Sequence, residues 1–346
     1  MRKIAFCIIG TGTIAERHIM AINALDRGYI YGVYDLNRER AAEFAKHWNV
    51  KCIDSFDDVL NNSEIKAVTI ATPTGTHMDI AFRCANSKKH ILCEKPLDVN
   101  VERAEKIIKA CEDNNVVLSA VFQSRFGRNA ALIKNAIDTG RFGKLLLVSA
   151  QVKWYRSNDY YDTSGWRGTW AMDGGGALMN QSVHIIDLLL WFTGEPNEVY
   201  AYTNTMTHNM ETEDNASAII QFKNGATGVI QASTSCAPGF PRVLEISGEK
   251  GSVILEDDRI TRWQFIDEAH EDSLIRETGK AGEGLNSGAS DPRNAGFEGH
   301  RRQLEDMVDA ILTGTEPKIP GREGIKAIKL ICAMYRSHKD KKPVRV

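Results

Sequence analysis

A glycine-rich turn close to the start of the chain restricts the fold more than any other feature of the sequence. The apolar run of residues 4–9 leads directly into residues 10–15, GTGTIA, where helical spacing of apolar residues begins. A strand, a G-x-G-x-x-A turn and a helix in this order form the dinucleotide-binding fingerprint of doubly wound α/β sheets. Gly10 permits the tight turn, Gly12 lets a pyrophosphate approach the backbone, and Ala15 lets the helix pack on the strand.

An acidic residue stands where such a turn needs one. Asp35 ends the second predicted strand, about 20 residues after Ala15, where a carboxylate accepts hydrogen bonds from a ribose diol. The carboxylate would repel a 2′-phosphate and so favours NAD over NADP, although the nearby Arg38 relaxes that preference. Two alternatives stay open at this point. One is a glycine turn that packs without a ligand, and the other is an S-adenosylmethionine site, which also uses such a turn and an acid.

Length, charge and composition narrow the class of protein. A chain of 346 residues exceeds what one hydrophobic core usually holds, so two domains are expected. The formal net charge is −2 without a block of Lys or Arg, which argues against a nucleic-acid partner and favours a small molecule. The apolar start is too short for a signal peptide, and no apolar stretch reaches the length of a membrane span. The sequence therefore predicts a cytoplasmic protein with no membrane partner.

No metal site is predicted. The seven cysteines are scattered without a CxxC pair, and several lie in apolar runs where a buried thiol packs as a small hydrophobe. The acidic run of Glu211, Glu213 and Asp214 has no other residue at ligand spacing, so a solvated loop is the preferred interpretation.

The first 122 residues alternate short apolar runs with amphipathic stretches, a pattern typical of βαβ units on a parallel sheet. The predicted strands are residues 4–9, 29–34, 67–71, 90–93 and 116–121. The predicted helices, with apolar residues three and four apart, are residues 14–25, 38–48, 76–85 and 101–114. We assign residues 1–122 to a dinucleotide-binding Rossmann domain with a doubly wound parallel sheet.

The pattern changes after residue 122, where we assign residues 123–346 to a substrate-binding and oligomerisation α+β domain. After a helix at residues 129–138, a mostly antiparallel open sheet is predicted from residues 145–154, 198–205, 216–222, 228–234, 242–247 and 252–256. Residues 223–225 form a hairpin-type turn, and residues 174–192 interrupt the strands with three glycines and helical periodicity. Residues 279–296 resemble a loop, and helices at residues 297–312 and 322–336 close the chain.

Two further motifs follow predicted strands, at the sheet edge where ligands bind in open α/β folds. Residues 71–77, ATPTGTH, open a helix, and their backbone is predicted to line the cofactor. His77 is either a polar residue of the first helical turn or a residue near the cofactor. In residues 93–97, CEKPL, Lys95 beside a rigid proline could reach the ligand crevice and stabilise an alkoxide. On residue type alone, a surface lysine is the more common interpretation.

A helix in the second half carries further candidate catalytic groups. Asn180, His184 and Asp187 are four and three residues apart, which places all three on one helical face. Asp187 could hold the imidazole through one ring nitrogen and leave the other toward a substrate hydroxyl, as a general base requires. A His/Asp pair on a helix is also commonly structural.

In this order and spacing, and followed by an antiparallel sheet domain, the motifs GTGTIA, ATPTGTH and CEKPL resemble the Gfo/Idh/MocA family of sugar and polyol oxidoreductases. The resemblance covers nearly the whole chain and argues against S-adenosylmethionine binding. Its most specific element, EKP at a strand end, implies a functional Lys95. Many family members have a Lys, Asp, His trio, with the Asp at the position of Asn180. The MNQ variant is similar to that of a subset of members that includes dehydrogenases of nucleotide-activated sugars such as UDP-N-acetylglucosaminuronate, and it also occurs in members of uncertain substrate.

The site that the motifs and the resemblance imply has a cofactor part and a substrate part. The predicted cofactor residues are Gly10, Thr11, Gly12, Thr13, Ile14, Asp35, Arg38, Thr72, Pro73, Thr74, His77, Glu94, Lys95 and Gln123. The predicted substrate residues are Lys95, Tyr155, Trp166, Arg167, Asn180 and His184. Weaker candidates for the same cleft are Tyr160, Tyr161 and His300, although packing explains the tyrosines about as well.

The resemblance implies hydride transfer between NAD and a secondary hydroxyl or ketone of a cyclic sugar, polyol or nucleotide-activated sugar. His184 is expected to remove the proton, Lys95 to stabilise the oxyanion, and Asn180 to orient the substrate, because an amide cannot take a proton. A homodimer or homotetramer through the C-terminal sheet is expected. The alternatives are a non-catalytic NAD-binding sensor, expected to lack Lys95 or His184, and a reductase of another carbonyl or imine substrate.

Overall fold

The glycine-rich turn follows the first strand, in chain order, of a five-stranded parallel sheet. The structure is a computed structural model that describes residues 3–283 and 296–346. The strands of this sheet are β1 (Ile4–Ile9), β2 (Gly28–Tyr34), β3 (Ala67–Ile70), β4 (His90–Cys93) and β5 (Leu118–Ala120). They lie in the order β2-β1-β3-β4-β5, and all neighbours pair in parallel. Every residue of β1 and β3 is buried, which explains the uninterrupted apolar runs of the sequence.

Short helices connect these strands, as the βαβ pattern predicts. They are α1 (Ala15–Asn23), α2 (Arg38–Trp48), α3 (Phe56–Asn61), α4 (His77–Asn86) and α5 (Val101–Asn114). The side chains of Asn37 and Asn100 cap α2 and α5 by accepting the backbone N–H three residues later, at 3.0 and 2.9 Å. The sequence analysis missed α3, because six residues are too few to show a helical period.

A second sheet of eight strands follows. Its strands are β6 (Leu145–Lys153), β7 (Pro196–Asn204), β8 (Asn215–Phe222), β9 (Thr227–Ser233), β10 (Val243–Gly248), β11 (Gly251–Glu256), β12 (Arg259–Phe265) and β13 (Val344–Arg345). The order is β12-β11-β10-β6-β9-β8-β7-β13, with β6 and β9 parallel and the other pairs antiparallel. The predicted hairpin joins β8 to β9, where Gly225 has a φ of +90°. The predicted fold class is therefore confirmed.

The helical segments of this part are α6 (Arg128–Asp138), α7 (Asn158–Asp162), a π-helix (Ala177–Ser182), α8 (Val183–Thr193) and α9 (Asp272–Thr278). The sequence analysis missed α7, α9, β12 and β13, whose short lengths or interspersed charges hide their period. Within the predicted loop at 279–296, residues 284–295 lie outside the described residues.

The chain divides into two compact units, and the first of the two C-terminal helices lies in the first unit and not in the second domain, to which the sequence analysis assigned it. These helices are α10 (Glu298–Thr313) and α11 (Gly321–Asp340). The first unit contains Met1–Gln123 and also Phe297–Ile325, and the second contains Ser124–Gly296 and Lys326–Val346. Residues 297–325 were assigned to the second domain, and that assignment is corrected. The reason is the apolar face of α10, whose Leu304, Met307 and Val308 lie in one core with β1 and α1.

Several cysteines pack as the sequence suggests. Cys7, Cys84, Cys93 and Cys111 are buried, and burial raises the pKa of the Cys84 and Cys111 thiols to about 12. Across residues 3–283 and 296–346, none of the helices has the length and apolar character to cross a membrane.

Candidate active site

The glycine turn of the first unit has the backbone geometry that the fingerprint requires. Gly10 has a φ of +94°, and a Cβ there would lie 2.7 Å from Ala71 O, so a side chain does not fit. A Cβ at Gly12 would meet no atom within 4 Å, which means that open space adjoins the start of α1. Ala15 is fully buried, and its N–H donates to Gly12 O at 3.0 Å. These positions fit a pyrophosphate at the helix N-terminus.

Asp35 is a charged carboxylate beside this turn. Its Oδ2 accepts the backbone N–H of Thr11 at 2.8 Å and the Thr11 hydroxyl at 3.0 Å, and its Oδ1 accepts the Asn37 N–H at 2.8 Å. Burial alone raises the pKa of Asp35, but hydrogen bonds from Thr11, Asn37 and Arg40 outweigh burial and lower it below its usual value. A charged acid at the end of β2 is what recognition of a ribose diol needs.

Arg40, rather than Arg38, contacts this carboxylate. Arg40 Nη2 lies 2.8 Å from both Asp35 oxygens, and its Nε donates to Oδ2 at 3.2 Å. Arg38 instead donates to Asp54, from Nη1 to the backbone oxygen at 2.9 Å and from Nη2 to the carboxylate at 2.6 Å. Arg40 is therefore a further candidate beside the cofactor, and the predicted role of Arg38 there stays a prediction. The sequence analysis did not single out Arg40, and the feature that could have indicated it is its position in the first turn of α2.

His77 connects two loops that follow strands. Its buried ring places Nδ1 3.1 Å from Pro96 O and 3.2 Å from Leu97 O, and Nε2 3.0 Å from Thr72 O. Both ring nitrogens face backbone carbonyls, so His77 bridges the two loops, and its predicted place near the cofactor stays a prediction. The predicted contacts of Thr72, Pro73 and Thr74 with the cofactor stay predictions.

A buried carboxylate stands directly before Lys95. Glu94 Oε1 lies 2.9 Å from His18 Nε2 and 3.5 Å from His300 Nε2, and Glu94 Oε2 accepts the Lys95 N–H at 3.1 Å. Burial raises the pKa of Glu94, but the two imidazoles outweigh burial and hold it well below its usual value. Lys95 itself is half-buried at the end of β4. A buried anion thus fixes the backbone of the candidate catalytic lysine.

The same three side chains are the described residues that could hold a metal ion. One ligand atom each of His18, Glu94 and His300 lies within 4.8 Å of the others, and residues 3–283 and 296–346 hold no second group of this kind. The 2.9 Å between His18 and Glu94 is a direct hydrogen-bond length, so an ion would have to displace that bond. The sequence analysis placed His300 in the ligand cleft and did not single out His18, whose only signal is its place on the buried face of α1.

Gln123 offers an unsatisfied polar atom to a ligand. The side chain is buried, and its Oε1 lacks a hydrogen-bond partner within the part of the chain that the structure describes. A buried oxygen without a donor is costly, so a donor from a bound molecule would stabilise it. Together with the open space at Gly12 and the charged Asp35, this oxygen shows that the residues present fit a dinucleotide.

In the second unit, a glycine run leads into a π-helix. A Cβ at Gly176 would lie 2.0 Å from Glu213 O, so only glycine fits there. The π-helix Ala177–Ser182 contains Asn180, whereas His184 and Asp187 lie in α8. The sequence analysis placed all three residues on one α-helix, which is wrong for Asn180 because it lies in the π-helix. π-helical turns are rare and frequently occur at functional sites.

A chain of polar side chains passes through Asn180. Asn180 Nδ2 donates to Asp173 Oδ1, and Asp173 Oδ2 accepts the Gly168 N–H at 2.9 Å. Gln181 Nε2 donates to Asn180 Oδ1 at 2.9 Å, and Arg156 Nη2 donates to Gln181 Oε1 at 3.0 Å. The side chains of Asp173 and Arg156 are buried, and Asn180 is half-buried. The sequence analysis missed Asp173 and Arg156, whose partners lie elsewhere on the chain.

Asp187 pairs with an arginine that the sequence analysis missed. Arg125 Nε donates to Asp187 Oδ2 at 2.8 Å and Nη2 donates to Oδ1 at 2.7 Å, with both side chains buried. Both carboxylate oxygens therefore accept from Arg125, and the expected contact of this carboxylate with the imidazole of His184 stays a prediction. His184 is half-buried in the first turn of α8, and its role as a base stays a prediction.

The aromatic residues predicted to contact a sugar separate into accessible and buried ones. Tyr155 is 43% exposed, and Trp166 is half-buried. The Arg167 guanidinium lies 4.1 Å from the ring centre of Tyr160 and 5.4 Å from that of Trp166. Tyr161 is buried, and its hydroxyl donates a hydrogen bond within the second unit. Packing therefore accounts for this residue without a contact to a sugar.

The acidic run after β7 is mostly buried. Glu211 is exposed, but Glu213 and Asp214 are 3% and 0% exposed, so the predicted solvated loop is wrong for these two. Glu213 accepts the N–H groups of Gly176 and Leu178, at 3.1 and 2.8 Å, where the π-helix begins. Burial raises the pKa of Glu213 to about 7 in spite of these hydrogen bonds.

Comparison with known proteins supplies the family. Residues 4–122 match the model of an oxidoreductase family with an NAD-binding Rossmann fold, and residues 130–254 match the GFO/IDH/MocA C-terminal domain. The WlbA dehydrogenase from Bordetella pertussis, solved in complex with NADH and UDP-GlcNAcA, is 32% identical. The alignment covers 100% of this chain and 99% of that one, with a TM-score of 0.89. The chain belongs to the Gfo/Idh/MocA family of oxidoreductases.

Other relatives within the family act on different molecules. Myo-inositol 2-dehydrogenase of Thermotoga maritima is 25% identical over 98% of this chain and 97% of its own length. Levoglucosan dehydrogenase of Pseudarthrobacter phenanthrenivorans is 27% identical over 75% of each chain. The family and NAD as the cofactor, both predicted from the sequence, are confirmed.

Proposed function

We propose that the protein is an NAD-dependent dehydrogenase that oxidises a secondary hydroxyl of a cyclic sugar or polyol, or reduces the corresponding ketone. The observation that carries this proposal is the full-length similarity, at 32% identity, to a dehydrogenase solved with NADH and UDP-GlcNAcA. That relative favours a nucleotide-activated sugar as the substrate, and the inositol dehydrogenase extends the candidates to free ring polyols.

The groups around Asp35 support NAD over NADP. Asp35 is a charged carboxylate at the end of β2, where it would accept hydrogen bonds from a ribose diol and repel a 2′-phosphate. Arg40 neutralises part of that charge and is therefore the residue that would reduce the repulsion of an NADP 2′-phosphate. When bound, the nicotinamide supplies the acceptor or donor of hydride.

The chemistry assigned to the chain requires a base, a cation and an orienting group. His184 is half-buried and takes the hydroxyl proton as the general base. Lys95, fixed at its backbone by Glu94, stabilises the developing oxyanion through its ammonium. Asn180 hydrogen-bonds a neighbouring hydroxyl, and the residues that contact the rest of the substrate are Tyr155, Trp166 and Arg167.

Substrate-dependent reduction of NAD⁺ tests this proposal. NAD⁺ and NADP⁺ are each offered at mildly alkaline pH with a panel of UDP-sugars, UDP-sugar acids, inositols and free hexoses, and reduction is followed by absorbance. We expect turnover with at least one ring substrate and a loss of about 100-fold or more in kcat for Lys95→Ala. Tight NAD binding without turnover on any member would overturn the proposal and favour the non-catalytic sensor.

A second measurement tests the base. His184→Asn keeps a polar side chain that cannot accept the proton, so kcat should fall by about 100-fold or more. Retention of most of the kcat would contradict the assignment. Activity confined to linear carbonyl or imine substrates would favour the alternative reductase.

We also propose that the outer face of the eight-stranded sheet joins two copies of the chain. Alternate residues of β6, β8 and β9 place Leu147, Ile219 and Val229 on this face, where they are 63%, 58% and 40% exposed. Exposed apolar side chains on neighbouring strands mark a surface that a second copy could cover. Ile219→Lys should shift the mass measured by light scattering toward the monomer, and an unchanged mass would contradict the contact.

A cytoplasmic location stays a prediction from the sequence.

A further inference from the structure

Asn180 stands where the resemblance leads us to expect an aspartate, and the structure places a carboxylate beside it. The Asp173 side chain is 0% exposed and accepts a hydrogen bond from Asn180 Nδ2. Its second oxygen accepts the Gly168 N–H at 2.9 Å, so both carboxylate oxygens have donors. The two residues are seven positions apart in the sequence, with the glycine run and the start of the π-helix between them.

The hydrogen bonds on either side fix the direction of the Asn180 amide. A guanidinium only donates and an ionised carboxylate only accepts. Arg156 must therefore face the oxygen of Gln181, whose nitrogen then donates to Asn180 Oδ1 at 2.9 Å. The Gln181 nitrogen also donates to the Tyr160 hydroxyl at 2.9 Å, so both of its hydrogens are used. The Asn180 nitrogen is consequently left facing Asp173.

We propose that Asp173 is a positioning residue that determines why residue 180 is an asparagine. With a buried carboxylate at 173, the side chain at 180 has to donate toward it and accept from Gln181, which an amide does and a carboxylate does not. An aspartate at 180 would place a second carboxylate in contact with the buried one at 173, which is unfavourable unless they share a proton. Asp173 therefore sets the orientation of the Asn180 amide, and Asn180 holds the substrate in the orientation that this hydrogen bond fixes.

This inference rests on the proposed function for what Asn180 orients, but the pairing itself does not. Exchanging the two residues makes a sharp test, because the exchange preserves every link of the chain. In Asp173→Asn/Asn180→Asp, the new amide at 173 would accept from Gly168 and donate to position 180. The new carboxylate at 180 would accept from both position 173 and Gln181. Each single substitution instead puts two acceptors or two donors face to face.

The experiment compares the wild type, Asn180→Asp, Asp173→Asn and the double exchange in two measurements. In steady-state kinetics, each single variant should raise the KM for the sugar substrate about tenfold or more, the scale of a lost hydrogen bond to a charged group. The double exchange should return the KM to within about threefold of the wild type. In thermal melting without substrate, each single variant should melt earlier, and the exchange should recover most of the loss. Asp162→Asn, an exposed carboxyl of α7, is the matched control for removal of one charge.

The outcomes separate the pairing from the proposed function. If the effects of the double exchange equal the sum of the two single effects in both measurements, the residues act independently and the inference is overturned. An Asn180→Asp variant that melts and turns over like the wild type would also overturn it. Rescue in melting and in KM supports it. If no sugar is turned over by any variant, the proposed function fails, while the melting temperatures still decide whether Asp173 and Asn180 are paired.

Discussion

Replacing Glu213 by glutamine should make the protein progressively more stable relative to the wild type as the pH rises from about 5 to about 8. Glu213 is fully buried, and burial raises its pKa from 4.5 to about 7. The folded protein therefore holds a proton on Glu213 that the unfolded chain has already released above pH 4.5. Stability falls with pH wherever the folded state binds more protons, so this carboxyl costs stability between pH 4.5 and about 7.

The size of the effect follows from the same shift. A change from 4.5 to about 7, at about 1.4 kcal/mol for each pKa unit, amounts to about 3 kcal/mol at pH 8. The hydrogen bonds that Glu213 accepts from Gly176, Leu178 and Tyr335 already oppose burial and are contained in this figure. Glutamine does not titrate, so the difference in stability between variant and wild type isolates this one group.

Urea unfolding at about pH 5, 6, 7 and 8, followed by tryptophan fluorescence and far-UV circular dichroism, measures that difference. We expect it to rise by about 2.5 kcal/mol in favour of Glu213→Gln across the series, because a small part of the effect is already present at about pH 5. Glu211→Gln serves as the control because it removes an exposed carboxyl two residues away. A difference that stays flat, or that moves toward the wild type with rising pH, would refute the reasoning.

Three further predictions test other parts of the structure. Asp35→Ala should raise the KM for NAD⁺ about tenfold or more in steady-state kinetics, because ribose would lose a charged acceptor, and an unchanged KM would contradict this. Arg125→Met should lower the unfolding free energy by about 3–5 kcal/mol in urea titrations by leaving Asp187 charged and buried. Adding Asp187→Leu should recover most of that loss, and no recovery would argue against the pair. Glu94 has a lowered pKa, so its stabilisation is present above its ordinary value of 4.5 and is lost as the pH falls. The stability advantage of the wild type over Glu94→Gln should thus shrink as the pH falls from about 5 to about 3, and a constant advantage over that range would contradict it.

Features that depend on consecutive residues were predictable from the sequence. The turn at Gly10 and Gly12 requires only a strand before it and a helix after it, and both are visible as apolar periods. The hairpin at Gly225 is likewise a local signal, since a positive φ favours glycine. Asp35 was found because its distance from the turn is set by the length of one βαβ unit.

Features that depend on partners far apart in the sequence were not predictable. His18 meets Glu94 across 76 residues, and Arg125 meets Asp187 across 62, and no local pattern marks either pair. Glu213 lies in an acidic run that looks solvated until the π-helix offers its N–H groups. The π-helix itself escapes prediction because side-chain spacing was interpreted with the α-helical period.

Because α10 packs in the first unit although it lies near the C-terminal end of the chain, the first unit cannot be completed early in synthesis. The core that contains β1 and α1 stays incomplete until Leu304, Met307 and Val308 have been made. About 170 residues separate Gln123 from Phe297, and a ribosome that adds about 5–20 residues per second translates them in about 10–35 s. During that interval the apolar surface that α10 will cover is open to water. The nucleotide-binding unit therefore starts to be translated before the second unit and is completed only after most of that unit has been made, and a chain cut after residue 123 lacks part of its own core.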